Sequence, residues 1–189
     1  FPILSLLSVV TGTTASINLV AFAFGEAFIN EGDEVIVSEA EHHSNIVPWQ
    51  LMCQRKGAVL KVLPVDDNGY LMVDMLDELI TDNTKILACT HISNVLGIIN
   101  PVRHIIEKCH SKGVPVLVDG AQGIVHSRVD VQDMDCDFYV FSGHKMYAAT
   151  GTGVLYGKKK WLDAMPPYMG GGEMVGTVTF AQTTYAPLP

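Results

Sequence analysis

A lysine stands directly after an apolar run in this 189-residue chain, where a buried strand is predicted to end. The run Phe138-Tyr-Val-Phe is followed by Ser142, Gly143, His144 and Lys145. Withdrawing an ammonium group from water costs several kcal/mol and favours the neutral amine. A neutral lysine amine can form a Schiff base with an aldehyde. The ordinary alternative is a lysine that extends from the strand end into water, so Lys145 alone does not decide between the two.

A carboxylate ends a second apolar run upstream. Val116-Leu-Val leads into Asp119, and Gln122 follows in the same loop. One fixed carboxylate and one amine at strand ends are the pairing that a pyridoxal 5'-phosphate (PLP) site needs. Asp119 and Lys145 therefore predict a PLP site, which the rest of the chain has to position.

Predicted strands and helices alternate along the chain, and no internal repeat or interdomain linker separates them. The predicted strands cover 34–38, 58–65, 84–90, 116–119, 138–142 and 150–157. The predicted helices cover 17–29, 46–56, 73–80, 101–112 and 161–165, the first capped by Thr13 or Thr14 and the second ended by Gly57. This alternation predicts the α/β class, with a mostly parallel sheet covered by helices on both faces.

Polar residues follow four of the predicted strands. In a parallel sheet, ligands bind outside the carboxyl ends of the strands, so these groups are expected to converge on one edge. The four clusters are Glu41-His42, Ser93-Asn94, Asp119–Gln122 and Ser142–Lys145. A helix start after Gly12 adds backbone N–H groups and threonine hydroxyls, which together can bind an anion.

The charge, the apolar stretches and the cysteines of the chain argue against several classes of function. The net charge of −8 argues against nucleic acid or anionic membrane as a partner, and no stretch approaches the roughly 18 apolar residues of a membrane span. The four cysteines form no C-x-x-C pair, which predicts buried free thiols in a reducing compartment such as the cytoplasm. No metal site is expected. The weakest alternative is a metal hydrolase, whose ligands would be His42, His43, His91 and His126. The spacing of these histidines does not support a metal site.

Six stretches of the chain resemble group II (SUF-type) cysteine desulfurases. These enzymes are related to selenocysteine lyase and belong to the class V aminotransferases of PLP fold type I. The resemblance runs from Gly12 to about Thr179. The stretches begin at Gly12-Thr-Thr, Glu41-His-His-Ser-Asn, Thr90-His-Ile-Ser-Asn, Val118-Asp-Gly-Ala-Gln, Asp135-Cys-Asp-Phe-Tyr-Val-Phe-Ser-Gly-His-Lys and Met165-Pro-Pro-Tyr-Met-Gly.

The resemblance implies a role for each matched residue. Lys145 would hold PLP as an internal aldimine and later move the α-proton of the substrate. Asp119 would pair with the pyridinium nitrogen, and His42 would stack on the ring. The phosphate would lie on Thr14, Ser142 and His144, aided by the helix start at Thr13. Gln122 and Asn94 would lie beside the phenolic oxygen of the ring, the latter also near the substrate carboxylate.

The implied reaction converts L-cysteine to L-alanine and leaves the sulfur as an enzyme persulfide for an acceptor protein in iron–sulfur cluster assembly. Residues 1–189 would form one PLP-binding large domain of a homodimeric enzyme, cut from a longer protein at both ends and without the small C-terminal domain. The family's nucleophilic cysteine and carboxylate-binding arginine have no counterpart in the chain. Val10-Thr11 and Ala148-Ala149 also replace the usual residues around the Gly-Thr-Thr and lysine motifs.

Three other functions stay open at this point. The chain is also compatible with selenocysteine lyase or a kynureninase-like hydrolase, both PLP enzymes that take a different substrate. A remnant that keeps the fold without catalysis would serve as an interaction module. Without the nucleophile and the arginine, the chain is expected to show no desulfurase turnover by itself.

Overall fold

The computed structural model describes residues 5–172 and 174–186. The strands are β1 (Ser5–Val10), β2 (Glu34–Ser38), β3 (Val59–Leu63), β4 (Thr84–Thr90), β5 (Val116–Asp119), β6 (Phe138–Ser142), β7 (Gly153–Lys158), β8 (Val175–Val178) and β9 (Thr183–Tyr185). The α-helices are α1 (Thr13–Phe28), α2 (Val47–Lys56), α3 (Leu76–Leu79), α4 (Val102–Ser111), α5 (Gly123–His126), α6 (Val131–Met134) and α7 (Lys159–Leu162). Short 3-10 helices cover His43–Asn45, Val73–Met75 and Gly143–Met146.

Seven of the strands form one sheet in the order β1-β7-β6-β5-β4-β2-β3. Five neighbouring strands pair in parallel: β3, β2, β4, β5 and β6. Strand β7 runs antiparallel to both β6 and β1. The predicted mostly parallel α/β sheet is therefore confirmed. Strand β1 was not predicted, because the sequence from Ser5 to Val10 lacks a clear alternation of polar and apolar residues. Strands β8 and β9 pair with each other in a separate exposed hairpin.

Helices cover both faces of the sheet, as predicted. On one face, α1 and α2 bury Ile17, Phe24 and Trp49 against β2, β4 and β6. On the other face, α3 and α4 bury Leu76 and Ile105. Each such side chain contributes about 1.5–3 kcal/mol through burial. The two cores hold the strands rigidly, so the carboxyl ends of β4, β5 and β6 have fixed positions.

Several element boundaries differ from those predicted. Helix α1 begins at Thr13 with Gly12 as its N-cap, so the predicted threonine cap was wrong, and both threonines lie in the first helical turn. The helix predicted over 73–80 is a 3-10 turn followed by a four-residue helix. Helix α2 does end at Gly57, which adopts the left-handed conformation.

All four cysteines are buried and none forms a disulfide, as predicted: Cys53, Cys89, Cys109 and Cys136. Burial raises the pKa of the Cys53 thiol to about 11 and the pKa of Cys109 and of Cys136 to about 12. Within residues 5–172 and 174–186, no helix is long and apolar enough to cross a membrane.

Candidate active site

A cavity of about 180 Å³ lies at the carboxyl ends of β4, β5 and β6. All nine residues that the resemblance implies for the cofactor line this cavity: Thr13, Thr14, His42, Asn94, Asp119, Gln122, Ser142, His144 and Lys145. They come from segments up to 132 positions apart in the sequence (from 13 to 145), and the parallel sheet brings them together. Four further lining residues were not predicted: Ser44, Thr90, Ile92 and Ala121.

The start of α1 is fixed to the end of β6 beside this cavity. The backbone N–H of Thr13 donates to Ser142 Oγ at 2.8 Å, and the two hydroxyls lie 2.7 Å apart. A 16-residue helix carries partial positive charge at its N-terminus. With the hydroxyls of Thr14 and Ser142 and the imidazole of His144, this end of the cavity has the donors that a phosphate group needs.

Asp119 provides the negative charge of the site. The residue is 3% exposed, and its Oδ1 accepts the backbone N–H of Ala121 at 2.9 Å. Burial raises the pKa of Asp119, while the Ala121 hydrogen bond and the charges of Lys145 and His42 act in the opposite direction. The carboxylate thus lies within electrostatic reach of both other groups, in an environment where a cationic ring nitrogen would be a favourable partner.

A buried histidine–tyrosine pair supports the loop that carries Asp119 and Gln122. His91 Nδ1 lies 3.0 Å from the hydroxyl of Tyr139, and the His91 backbone N–H donates to the Asp119 carbonyl at 2.9 Å. Added Cβ atoms at Gly120 and Gly123 would lie 2.0 Å from the Tyr139 ring and 2.2 Å from His91, so both positions need glycine. Burial lowers the pKa of His91, which favours the neutral imidazole. Sequence patterns suggested only a metal role for His91.

His42 occupies the turn between β2 and α2. Its Nδ1 accepts the backbone N–H of Ser44 at 3.1 Å and lies 2.8 Å from the Ser44 hydroxyl. The preceding residue, Glu41, accepts hydrogen bonds from three other segments. Burial raises the pKa of Glu41 to about 8, against the opposing effect of hydrogen bonds from Ser38 and Asn45.

Lys145 lies in the 3-10 helix that follows β6, and its side chain is half-buried at the cavity. Among the lysines of the described residues, it alone makes no hydrogen bond or ion pair; the other eight all do. The turn after it places Tyr147 at φ 66°, and the Ala148 N–H donates to the Gly143 carbonyl at 3.0 Å. Because the left-handed residue is Tyr147, alanine at 148 causes no backbone strain.

These groups fit PLP by their chemistry. An unpaired amine can bind the aldehyde, a buried carboxylate can pair with the ring nitrogen, and a helix start with hydroxyls can hold the phosphate. Among the described residues, no group of three or more His, Cys, Asp or Glu side chains is arranged to hold a metal ion.

The chain matches the family Aminotransferase class-V over residues 6–189, and it belongs to that family. Class V aminotransferases of the cysteine desulfurase type use PLP. The predicted family and cofactor are therefore confirmed.

Among its relatives are cysteine desulfurases from Enterobacter sp. (strain 638) and Cronobacter sakazakii. Each is 54% identical to the chain over 181 residues, which is 95% of this chain and 45% of the relative. The chain thus spans somewhat less than half the length of these curated relatives.

Two solved structures of cysteine desulfurases have the same fold. CsdA (S-sulfonic acid) from Escherichia coli superposes with a TM-score of 0.92 at 48% identity, over 97% of this chain and 46% of that chain. The apo enzyme from Thermococcus onnurineus NA1 gives a TM-score of 0.89 at 32% identity, with the same coverage.

Proposed function

We propose that this chain is the PLP-binding large domain of a cysteine desulfurase, which converts L-cysteine to L-alanine. The observation that carries the proposal is a single cavity lined by an unpaired lysine, a buried carboxylate and an anion-binding helix start. The relatives at 54% identity are named cysteine desulfurases, which supports the same reaction.

When bound, PLP supplies an electron-withdrawing ring that stabilises negative charge at the α-carbon of the substrate. In this proposal, Lys145 holds the aldehyde group and moves the α-proton. Asp119 would keep the ring nitrogen protonated, and His42 would stack on the ring. Thr13, Thr14, Ser142 and His144 would bind the phosphate, Gln122 would bond the phenolic oxygen of the ring, and Asn94 would lie beside that oxygen and the substrate carboxylate.

The sulfur step requires a thiolate that none of the four cysteines provides. The C–S bond of cysteine breaks, an S–S bond forms on an enzyme thiolate, and a proton replaces sulfur on the carbon. Each thiol in the chain is buried, and burial raises its pKa, which disfavours the thiolate. We therefore place the persulfide outside residues 1–189 and expect no desulfurase turnover from this chain alone.

The proposal extends to partners and location. We propose that residues 1–189 form a single large domain, that the enzyme is a homodimer, and that a protein acceptor takes the sulfur for iron–sulfur cluster assembly. Four buried thiols without a disulfide support a reducing compartment such as the cytoplasm.

A chimera tests the reaction. This chain replaces the matching segment of the Enterobacter relative, and alanine formation is measured with L-cysteine, L-selenocysteine and L-kynurenine. We expect alanine from L-cysteine, lost in a Lys145→Ala chimera. A chimera that acts only on selenocysteine or kynurenine would refute the substrate proposal.

The isolated chain tests the remaining points. Alanine release from L-cysteine above a no-protein control would contradict the expected lack of turnover. Failure of the chain to bind PLP, together with stable association with a partner protein, would instead favour a non-catalytic interaction module.

A further inference from the structure

Glu41 is a junction of three segments around the proposed cofactor site. Its Oε1 accepts the backbone N–H of Thr90 at 2.6 Å and a hydrogen bond from the Ser38 hydroxyl. Its Oε2 accepts Nδ2 of Asn45 at 2.6 Å. These partners lie at the end of β2, the end of β4 and the turn before α2, so one carboxyl group links all three segments.

Two groups that can only donate, the indole N–H of Trp49 and the backbone N–H of Thr90, fix the direction of these hydrogen bonds. The indole N–H of Trp49 can only donate, and it donates to Oδ1 of Asn45 at 3.1 Å. Asn45 must therefore present its amide N–H group to Glu41, and Oε2 must accept. The backbone N–H of Thr90 likewise requires an acceptor at Oε1. Asn45 and Trp49 are both fully buried, so water cannot satisfy these donors instead.

Two sides of the cavity depend on this junction. On one side, the turn held by Glu41 carries His42, whose carbonyl accepts the Asn45 backbone N–H at 2.8 Å. On the other side, Thr90 pairs in register with Asp119 across β4 and β5. The hydrogen bonds of Glu41 thus join the His42 turn to the strand beside Asp119.

We propose that Glu41 is a positioning residue of this site: by holding the His42 turn against Thr90, it sets where the His42 ring stands relative to the Asp119 carboxylate. The inference rests on the proposed function, because its consequence is the geometry of PLP binding. Glu41 itself acts through His42 and Thr90.

Amide–carboxylate exchange gives a specific test. In Glu41→Gln, either orientation of the new amide places an N–H group against the donor from Asn45 or from Thr90. In Asn45→Asp, the amide N–H group that Oε2 of Glu41 accepts is replaced by a carboxyl oxygen, so this hydrogen bond loses its donor. The double variant Glu41→Gln/Asn45→Asp restores every pairing, since the new aspartate accepts from both Gln and Trp49 while Gln accepts from Thr90. The control is Glu39→Gln, because Glu39 also accepts a backbone N–H, from Val65 at 3.0 Å, but on the exposed surface away from the cavity.

The measurements are the PLP dissociation constant and the visible circular dichroism of bound PLP, taken well below the melting temperature of each variant. We expect each single variant to bind PLP about ten-fold more weakly with an altered visible band. The double variant is expected to return to within about three-fold of the parent, and the Glu39 control to match the parent. If a single variant does not fold, recovery of folding and PLP binding in the double variant decides the same point.

Two results would overturn the inference. Folded single variants with the affinity and visible band of the parent would show that Glu41 does not position the site. A double variant as defective as the single variants would show that the hydrogen-bond direction is not what matters. The two failures can be told apart by the parent chain. If the parent binds no PLP, the proposed function is refuted; if the parent binds PLP and the variants behave as described above, only the role of Glu41 is refuted.

Discussion

Replacement of Gly153 by alanine is expected to disrupt the proposed phosphate end of the candidate site, although Gly153 itself does not line the cavity. Gly153 begins β7 and pairs there with Val10 on β1 and Ser142 on β6. A Cβ atom at this position would lie 2.4 Å from Cα of Gly12 and 2.7 Å from its nitrogen. Because non-bonded carbons approach to about 3.5–4.0 Å, the two backbones have to separate by about 1 Å. Strand β7 is held on both sides, so the Gly12 turn has to move.

The size of the effect follows from what that turn carries. A shift of about 1 Å lengthens both Thr13–Ser142 contacts beyond hydrogen-bonding distance. Overpacking costs about 1–3 kcal/mol and each lost hydrogen bond about 1 kcal/mol, so Gly153→Ala is expected to lose about 3–5 kcal/mol. For a domain of this length, that corresponds to a melting temperature about 6–20 °C lower. PLP affinity is expected to fall as well, because Thr13 begins the turn that is proposed to bind the phosphate.

Gly157→Ala is the matched control on the same strand. Its Cβ would lie 2.9 Å from side-chain carbons of Leu162, which can rotate away, so stability should change by less than about 1 kcal/mol. Urea unfolding followed by far-ultraviolet circular dichroism measures stability, and visible absorbance measures PLP binding. The reasoning is refuted if Gly153→Ala unfolds at the urea midpoint of the parent, or if the control is equally damaging.

Three further predictions concern the core. Asp137→Asn is expected to lose about 3–5 kcal/mol in urea unfolding, since the 1% exposed carboxylate accepts from His110 and Trp161 at 2.7 Å each. Burial raises the pKa of Asp137, but the hydrogen bonds from His110, Trp161 and the Val116 N–H, together with the charge of Lys158, lower it overall. The stability that Asp137 contributes is therefore complete above its unfolded-state pKa and is lost as the pH falls through the lower folded-state pKa; a variant with the acid dependence of the parent would contradict this. Tyr139→Phe leaves Nδ1 of His91 without its partner and should cost about 1–3 kcal/mol, whereas a loss below about 0.5 kcal/mol would argue against the pair. At pH 8, a thiol reagent should modify none of the cysteines rapidly in the folded chain and all four after denaturation, and one fast thiol in the folded state would be inconsistent with their burial.

The fold and the convergence of the candidate site residues on one cavity were predictable because both follow from short-range patterns. Apolar runs of strand length ended at Asp119 and Ser142, and the rule that ligands bind at the carboxyl ends of parallel strands placed their polar neighbours together. The resemblance then added roles for individual residues such as His42 and Asn94, whose own patterns suggested little.

The supporting contacts were not predictable, because they join residues far apart in sequence. Thr13 and Ser142 are separated by 129 positions, Glu41 and Thr90 by 49, and His91 and Tyr139 by 48. A local pattern places Glu41 next to His42 but does not show which donors reach its carboxylate. These contacts depend on strand order and register, which only the folded chain displays.

Location of the reactive amine tests the central claim most directly. PLP is added to the chain, the adduct is reduced with borohydride, and the modified peptides are mapped by mass spectrometry. Because the other eight lysines of the described residues are held in hydrogen bonds or ion pairs, a single pyridoxyl group on Lys145 is predicted. A pyridoxyl group on another lysine, or none at all, would contradict the proposed cofactor site.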